Sequence, residues 1–235
     1  MRLIVFILFV IFIAVPFCFS QNDFGIEVQG FYTSSNISIP REYNTITSEG
    51  GGGYDIGIGI FKGVSSRTIL RGGIHMWSAV FNPVHTGEYS VNNVEITGKL
   101  EEKGTLSYTG IYLFTDYEVD FFFIGGGFDL SLSHSYNSVI SAYDSHDYLI
   151  SRSVDNDKSF LTETFNTQFD IVVRGGIKFA LNNMIQLRPS VEYDIPLKGI
   201  FDVEIPDYRL TPSQRKISFN AYLLKLGLSV EFHYH

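Results

Sequence analysis

Between Phe165 and Ala180 the chain changes character at almost every residue. Phe169, Ile171, Val173, Gly175, Ile177 and Phe179 alternate with Gln168, Asp170, Arg174, Gly176 and Lys178, and Val172 alone falls out of step. A period of two marks a β-strand, whose successive side chains point to opposite faces. The next stretch repeats it: Ile185, Leu187, Pro189, Val191, Tyr193 and Ile195 stand against Gln186, Arg188, Ser190, Glu192 and Asp194. Leu181-Asn182-Asn183 between the two reads as the tight turn of a hairpin. The pattern recurs at 23–33, 53–62, 67–81, 106–116, 120–134 and 217–234, which makes eight strands. Segment 106–116 is the least regular, because Ile111 and Leu113 bring apolar groups to both faces.

The connections alternate as well. Long polar stretches (34–52, 82–105, 135–164 and 197–216) take turns with short ones near Gly63–Ser66, Tyr117–Val119 and Leu181–Asn183. Tight turns at one end and long loops at the other characterise an up-and-down membrane barrel. Four unstructured loops of that length argue against a compact soluble domain.

Alternation alone does not say which face meets solvent, and a soluble barrel would put the apolar set inside. The glycines decide. Gly57, Gly59, Gly73, Gly125, Gly127, Gly176 and Gly227 lie on the polar face, interleaved with charges as in Arg71-x-Gly73-x-His75 and Arg174-x-Gly176-x-Lys178. On a solvated sheet such glycines only weaken the strand. Inside an eight-stranded barrel, whose interior is just wide enough to be filled by side chains, they make room for long charged neighbours. About five large apolar groups per strand would overfill that interior but cover an outer wall well. The expected fold is therefore an all-β, eight-stranded antiparallel up-and-down transmembrane β-barrel. Tyr32, Tyr54, Tyr108, Phe179, Tyr193, Phe232 and Tyr234, near strand ends, are expected to form interfacial girdles.

This strand rhythm, the segment Gln186-Leu187-Arg188-Pro189-Ser190-Val191-Glu192-Tyr193-Asp194-Ile195-Pro196-Leu197 and the alternating aromatic C-terminal strand resemble the outer-membrane protein beta-barrel domain family, with its OmpX-like and PorT-like members. The resemblance spans Phe24 to His235. It implies an integral protein of the Gram-negative outer membrane, in contact with outer-membrane lipid, lipopolysaccharide and the barrel-assembly machinery. Members of the family usually end on an aromatic residue, whereas here His235 follows Tyr234.

The N-terminus carries a matching address. Arg2, the apolar run Leu3–Phe17 and then Cys18-Phe19-Ser20 read as a secretory signal peptide cut after Ser20. The rival readings are an uncleaved anchor, for which the run is short and broken by Pro16, and a lipid anchor on Cys18, where bulky Phe17 stands in place of the expected small residue. Residues 21–235 then form one barrel domain. Cleavage removes Arg2 and no acid, so the formal charge goes from −8 to −9. That acidity excludes a nucleic-acid partner. The single cysteine, Cys18, excludes a disulfide framework and a cysteine zinc site.

No catalytic constellation emerges. Ser133-His134-Ser135-Tyr136-Asn137 is reminiscent of lipid A deacylases, but on a strand both serines face away from His134. A protease would need paired acids and an Asp–His couple at the rim; His85, His146, Asp144 and Asp147 are ordinary residues of acidic loops. Asp155-Asn156-Asp157 with Asp144 and Asp147 lacks the spacing and closing Glu of a calcium loop. Gly50–Gly53 lacks the Lys-Ser/Thr and helix of a phosphate loop, and Asn36-Ile37-Ser38 is a glycosylation sequon in form only. No catalytic residue, cofactor or metal is expected.

The inward face is the remaining candidate site. It carries the acids Glu27, Asp55, Asp129, Asp170, Glu192, Asp194 and Glu231 and the bases Arg71, Arg174, Lys178, Arg188 and Lys225, with His75 as a further base. Twelve charges in so narrow a tube must pair, since an isolated buried ion costs several kcal/mol. The expectation is a closed lumen in a monomeric, non-enzymatic envelope protein with a structural or surface-interaction role. Its loops, with 14 acids and 9 bases, would meet a protein or glycan ligand. A lipid-modifying hydrolase centred on His134 and a narrow channel are the alternatives.

Overall fold

Each of the eight alternating segments is a β-strand in the computed structural model, which describes residues 24–38, 46–91, 94–155, 167–198, 201–204 and 216–234. The expected signal peptide, residues 1–20, lies outside the described residues. The strands are β1 (Phe24–Ser38), β2 (Ile46–Gly63), β3 (Thr68–Val91), β4 (Val94–Val119), β5 (Phe122–Asp144), β6 (Leu149–Asp155), β7 (Gln168–Ile177), β8 (Phe179–Ala180), β9 (Ile185–Pro196), β10 (Phe201–Glu204) and β11 (Lys216–Tyr234). Eight of them close a ring in the order β1-β2-β3-β4-β5-β7-β9-β11, and β11 pairs back onto β1. Every pairing is antiparallel. The short strands β6, β8 and β10 extend β5, β9 and β11.

The register fixes the diameter. Stepping across the partners from Phe24 leads through Lys62, Leu70, Thr115, Gly126, Val173, Tyr193 and Leu224, and returns to β1 at Ser34, ten residues beyond the start. For eight strands, that stagger gives a tilt of about 40° and a backbone radius of about 8 Å. Such an interior is just wide enough for side chains to fill.

The two faces are inverted relative to a soluble protein. Ile74 is 59% exposed while Arg71, three residues before it, is 1% exposed. Val28, Ile58, Ile74, Ile111 and Leu130 follow one another across five strands of the outer wall. On β11 the outward set Tyr222, Leu224, Leu226, Leu228, Val230, Phe232 and Tyr234 spans about 30 Å of height at this tilt, enough for an apolar band of about 25 Å between aromatic girdles. Tyr32, Tyr54, Phe179, Tyr193, Phe232 and Tyr234 face outward as expected. Tyr108 does not. It shares the inward parity of Tyr112, is fully buried, and stacks on Trp77 at 4.3 Å.

Turns and loops need two corrections. The second tight turn lies at Asp120–Phe121, not at 117–119, because Tyr117 and Val119 continue the outward apolar face and stay paired with Ile124 and Phe122. Asp120 takes the left-handed φ of 51° that the turn requires, a conformation Asp tolerates. The long connections are also more ordered than expected. β3 and β4 remain paired up to Val91↔Val94, so 82–105 is a hairpin, and 135–164 opens with the β5–β6 hairpin. β3 has 24 residues, where a tilted strand needs about 9–11 to cross a bilayer. Beyond the lipid neither face must be apolar, so the alternation disappears while the hydrogen-bonded ladder continues.

Candidate functional site: the charged lumen

Strand parity turns one side chain in two toward the axis, and within the wall those side chains form two charged layers. The layer nearer the short turns is centred on Arg71. Its guanidinium meets Glu27 at 2.7 Å, Asp116 at 2.6 Å and Glu231 at 2.6 Å. Arg188 meets Asp116 at 2.8 Å and Glu231 at 3.1 Å, and it also bonds to Glu118, which in turn receives Lys178. Tyr112 Oη donates to the second oxygen of Glu27 at 2.8 Å. Arg174 is held more loosely, 3.3 Å from Glu192 and 3.7 Å from Asp116, without hydrogen-bond geometry to either.

The layer above it is acidic. Lys225 Nζ bridges Asp55 at 2.7 Å and Asp194 at 2.8 Å. His75 stands between Asp55, 3.0 Å from Nδ1, and Asp129, 2.6 Å from Nε2. Asp129 also accepts from Ser131 Oγ at 2.6 Å, and Ser131 accepts from Trp77 Nε1 at 3.1 Å. Asp170 is bound by the amide of Gln168 at 2.8 Å. Four aspartates here face one lysine and one imidazole.

Aromatic rings pack against the guanidinium groups. The Arg188 guanidinium lies 3.8 Å from the centre of the Phe123 ring, and Arg174 and Arg71 lie over Phe114 and Phe61 at 4.9 and 5.2 Å. The glycines of the polar face make the space, as expected, but chiefly for rings. A Cβ on Gly59 would strike Tyr112 Oη; on Gly127, Gly176 and Gly227 it would meet a backbone carbonyl oxygen of the adjacent strand and, among side chains, the Phe114, Phe123 and Phe31 rings.

All twelve charged residues expected on the inward face lie there: eleven are buried, and Lys178 is half-buried at the turn end. Asp116 and Glu118 were missed by sequence reasoning, although they anchor Arg71, Arg188 and Lys178. They sit where 106–116 loses its polar–apolar rhythm because Tyr112 and Phe114 also point inward. With them, nine carboxylates face five Lys and Arg side chains among the described residues.

Ser131, His75 and Asp55 have the residue types of a hydrolytic triad, with Ser131 Oγ 3.4 Å from His75 Nε2. Both ring nitrogens are already engaged by carboxylates, and Ser131 Oγ gives its proton to Asp129 and not to the ring. The group is also buried, with Ser131 at 0% exposure. His134 lies on the outer face, where Nδ1 is 3.2 Å from Thr109 Oγ1. His146 and Asp144 meet only in the β5–β6 turn, where the His146 amide donates to Asp144 at 2.8 Å. Asn156 and Asp157 lie outside the described residues. Among the described residues no three Asp, Glu, His or Cys side chains are arranged as a metal-binding group.

No protein-family model matches the chain, and a search of curated proteins finds no relative. Several solved structures have a similar shape. Neisserial surface protein A is 13% identical, with 89% of this chain and 97% of that chain covered and a TM-score of 0.46. The attachment invasion locus protein Ail of Yersinia pestis is 8% identical, with 92% and 100% covered and a TM-score of 0.38. The outer membrane protease OmpT of Escherichia coli is 10% identical, with 92% and 98% covered and a TM-score of 0.40. These are likenesses of fold alone. The chain's own geometry is that of a bacterial outer-membrane barrel: an even-stranded antiparallel ring, an apolar outer band, aromatic girdles and a polar interior. That wall places it in the outer membrane.

Proposed function

We propose that the protein is a non-enzymatic, monomeric barrel of the cell envelope, braced from within and closed to general diffusion. The observation that carries this reading is the ion network: Glu27, Arg71, Asp116, Arg188 and Glu231 join β1, β3, β4, β9 and β11 across the lumen. In an interior that holds little more than side chains, charge-assisted contacts of this kind lock opposite walls together. The short turns and both termini face the periplasm, and the wall contacts lipid and lipopolysaccharide after insertion by the assembly machinery.

The working surface is then the outer end. There the β5–β6 hairpin carries Tyr148, Leu149, Ile150 and Val154 with their side chains exposed, a surface for a protein or glycan ligand. Single-channel recording in a planar bilayer tests the closed lumen; no steady nanosiemens conductance is expected, and a stable open state of that size contradicts the reading. Incubation with lipid A tests the absence of hydrolysis. Acyl release that is lost on His134→Ala overturns it.

A further inference from the structure

The acidic upper layer holds more carboxylates than cationic partners, four against Lys225 and His75, and the excess is local. Asp129 and Asp170 are direct cross-strand partners on β5 and β7, and both point into the lumen. Like charges placed opposite each other destabilise a sheet unless something offsets them. His75 and Ser131 engage Asp129, so Asp170 is the unbalanced member, and the amide of Gln168 is its only hydrogen-bond donor among the described contacts. Asp194, opposite Val172, is its diagonal neighbour.

Around Asp170 are buried oxygens that no protein donor satisfies. Gln168 gives its NH2 group to Asp170, and its carbonyl Oε1 has no partner. Tyr108 Oη is buried without a partner, on the ring stacked over Trp77, whose indole N–H reaches Ser131, the cross-strand partner of Gln168. Asp194 binds Lys225 through one oxygen, and the other is unpartnered. Gln168 and Asp194 are each 1% exposed and Tyr108 is 0% exposed. Unpaired buried oxygens with excess negative charge form the donor set that hard cations take, carboxylates together with amide and hydroxyl oxygens.

Among the described residues β7 begins at Gln168 and β9 ends at Pro196, so Asp170 and Asp194 lie near the outer ends of their two ladders.

We propose that the upper lumen binds a hard, oxygen-seeking cation through Asp170, Asp194, Gln168 Oε1 and Tyr108 Oη. The ion offsets the aspartate excess and ties β4, β7 and β9 together. It goes beyond the envelope role above and does not depend on what the outer surface binds.

Trp77, the only tryptophan, is stacked on Tyr108 and reports on the site. The full-length protein, folded in detergent with folding monitored by heat-dependent gel mobility, is titrated with calcium, magnesium, sodium or potassium chloride against choline chloride at matched ionic strength. A saturable change in Trp77 emission is expected with at least one metal ion and not with choline. Asp170→Asn raises the half-saturating concentration by about tenfold or more, and Tyr108→Phe, which keeps the stack, raises it several-fold. The absence of a saturable metal response in the folded protein overturns the proposal, as does an equal response to choline. So does half-saturation unchanged in Tyr108→Phe, the variant that decides the matter if Asp170→Asn does not fold.

Discussion

Arg71 donates through Nε to Asp116 at 2.6 Å, and neither side chain has any contact with solvent. The pair joins β3 to β4, and the same guanidinium reaches Glu27 on β1 and Glu231 on β11. One cation thus holds four strands, including the two that close the ring.

Removing it should be costly. Arg71→Ala leaves three carboxylates without their shared partner, and loss of one member of a buried pair costs about 3–5 kcal/mol. Arg174→Ala should cost less, because its contacts at 3.3 and 3.7 Å are looser. Urea unfolding in lipid vesicles measures both. No loss in Arg71→Ala would mean that these contacts do not brace the barrel, and equal losses would contradict the ranking of the two arginines.

Tyr112 and Gly59 form a packed pair, since a Cβ on Gly59 would strike the phenol oxygen. Gly59→Ala should destabilise the barrel by about 1–3 kcal/mol through overpacking. Tyr112→Phe should cost about 1–3 kcal/mol on its own, because Glu27 loses a buried donor. The double variant should be more stable than the sum of the two losses implies, since Tyr112→Phe removes the closest contact and leaves the Gly72 carbonyl oxygen, at 2.8 Å, as the nearest one. Additivity in the double-mutant cycle would refute the contact.

The wall was legible where lipid lies on one side and a polar lumen on the other, as on β7, β9 and β11. On β4 the signal faded. Leu106, Tyr108, Tyr112 and Phe114 fill the lumen with apolar bulk, so both faces look hydrophobic; that hid Asp116 at the end of the expected strand, and Glu118 fell into the expected turn at 117–119. The outer halves of β3, β4 and β5 read as loops for a different reason: above the lipid no face is required to be apolar. The partners of each charge were not legible, because pairing depends on a stagger of ten residues that no local pattern encodes.

The β5–β6 hairpin should respond to acid. Asp144 Oδ1 accepts from the backbone amides of Tyr148 at 2.9 Å and His146 at 2.8 Å, and these bonds hold its carboxyl below the usual carboxylate range. A depressed folded value means that the stabilisation is present above the unfolded pKa of about 3.9 and is lost as pH falls through the folded value. Amide exchange at Tyr148 should therefore stay protected down to about pH 4 and weaken below it. Asp144→Ala should abolish that dependence. An identical acid response in the variant would remove Asp144 from the account.

The central claim is that lipid meets one face of the wall and the ion network the other. Spin labels placed singly along β3 at 70, 72, 74 and 76, and at 71, 73, 75 and 77, test it in lipid bilayers. The even positions should be accessible to membrane-dissolved oxygen and the odd ones shielded from it, with a period of two. Equal accessibility on both faces, or oxygen contact at the odd positions instead, would contradict the account.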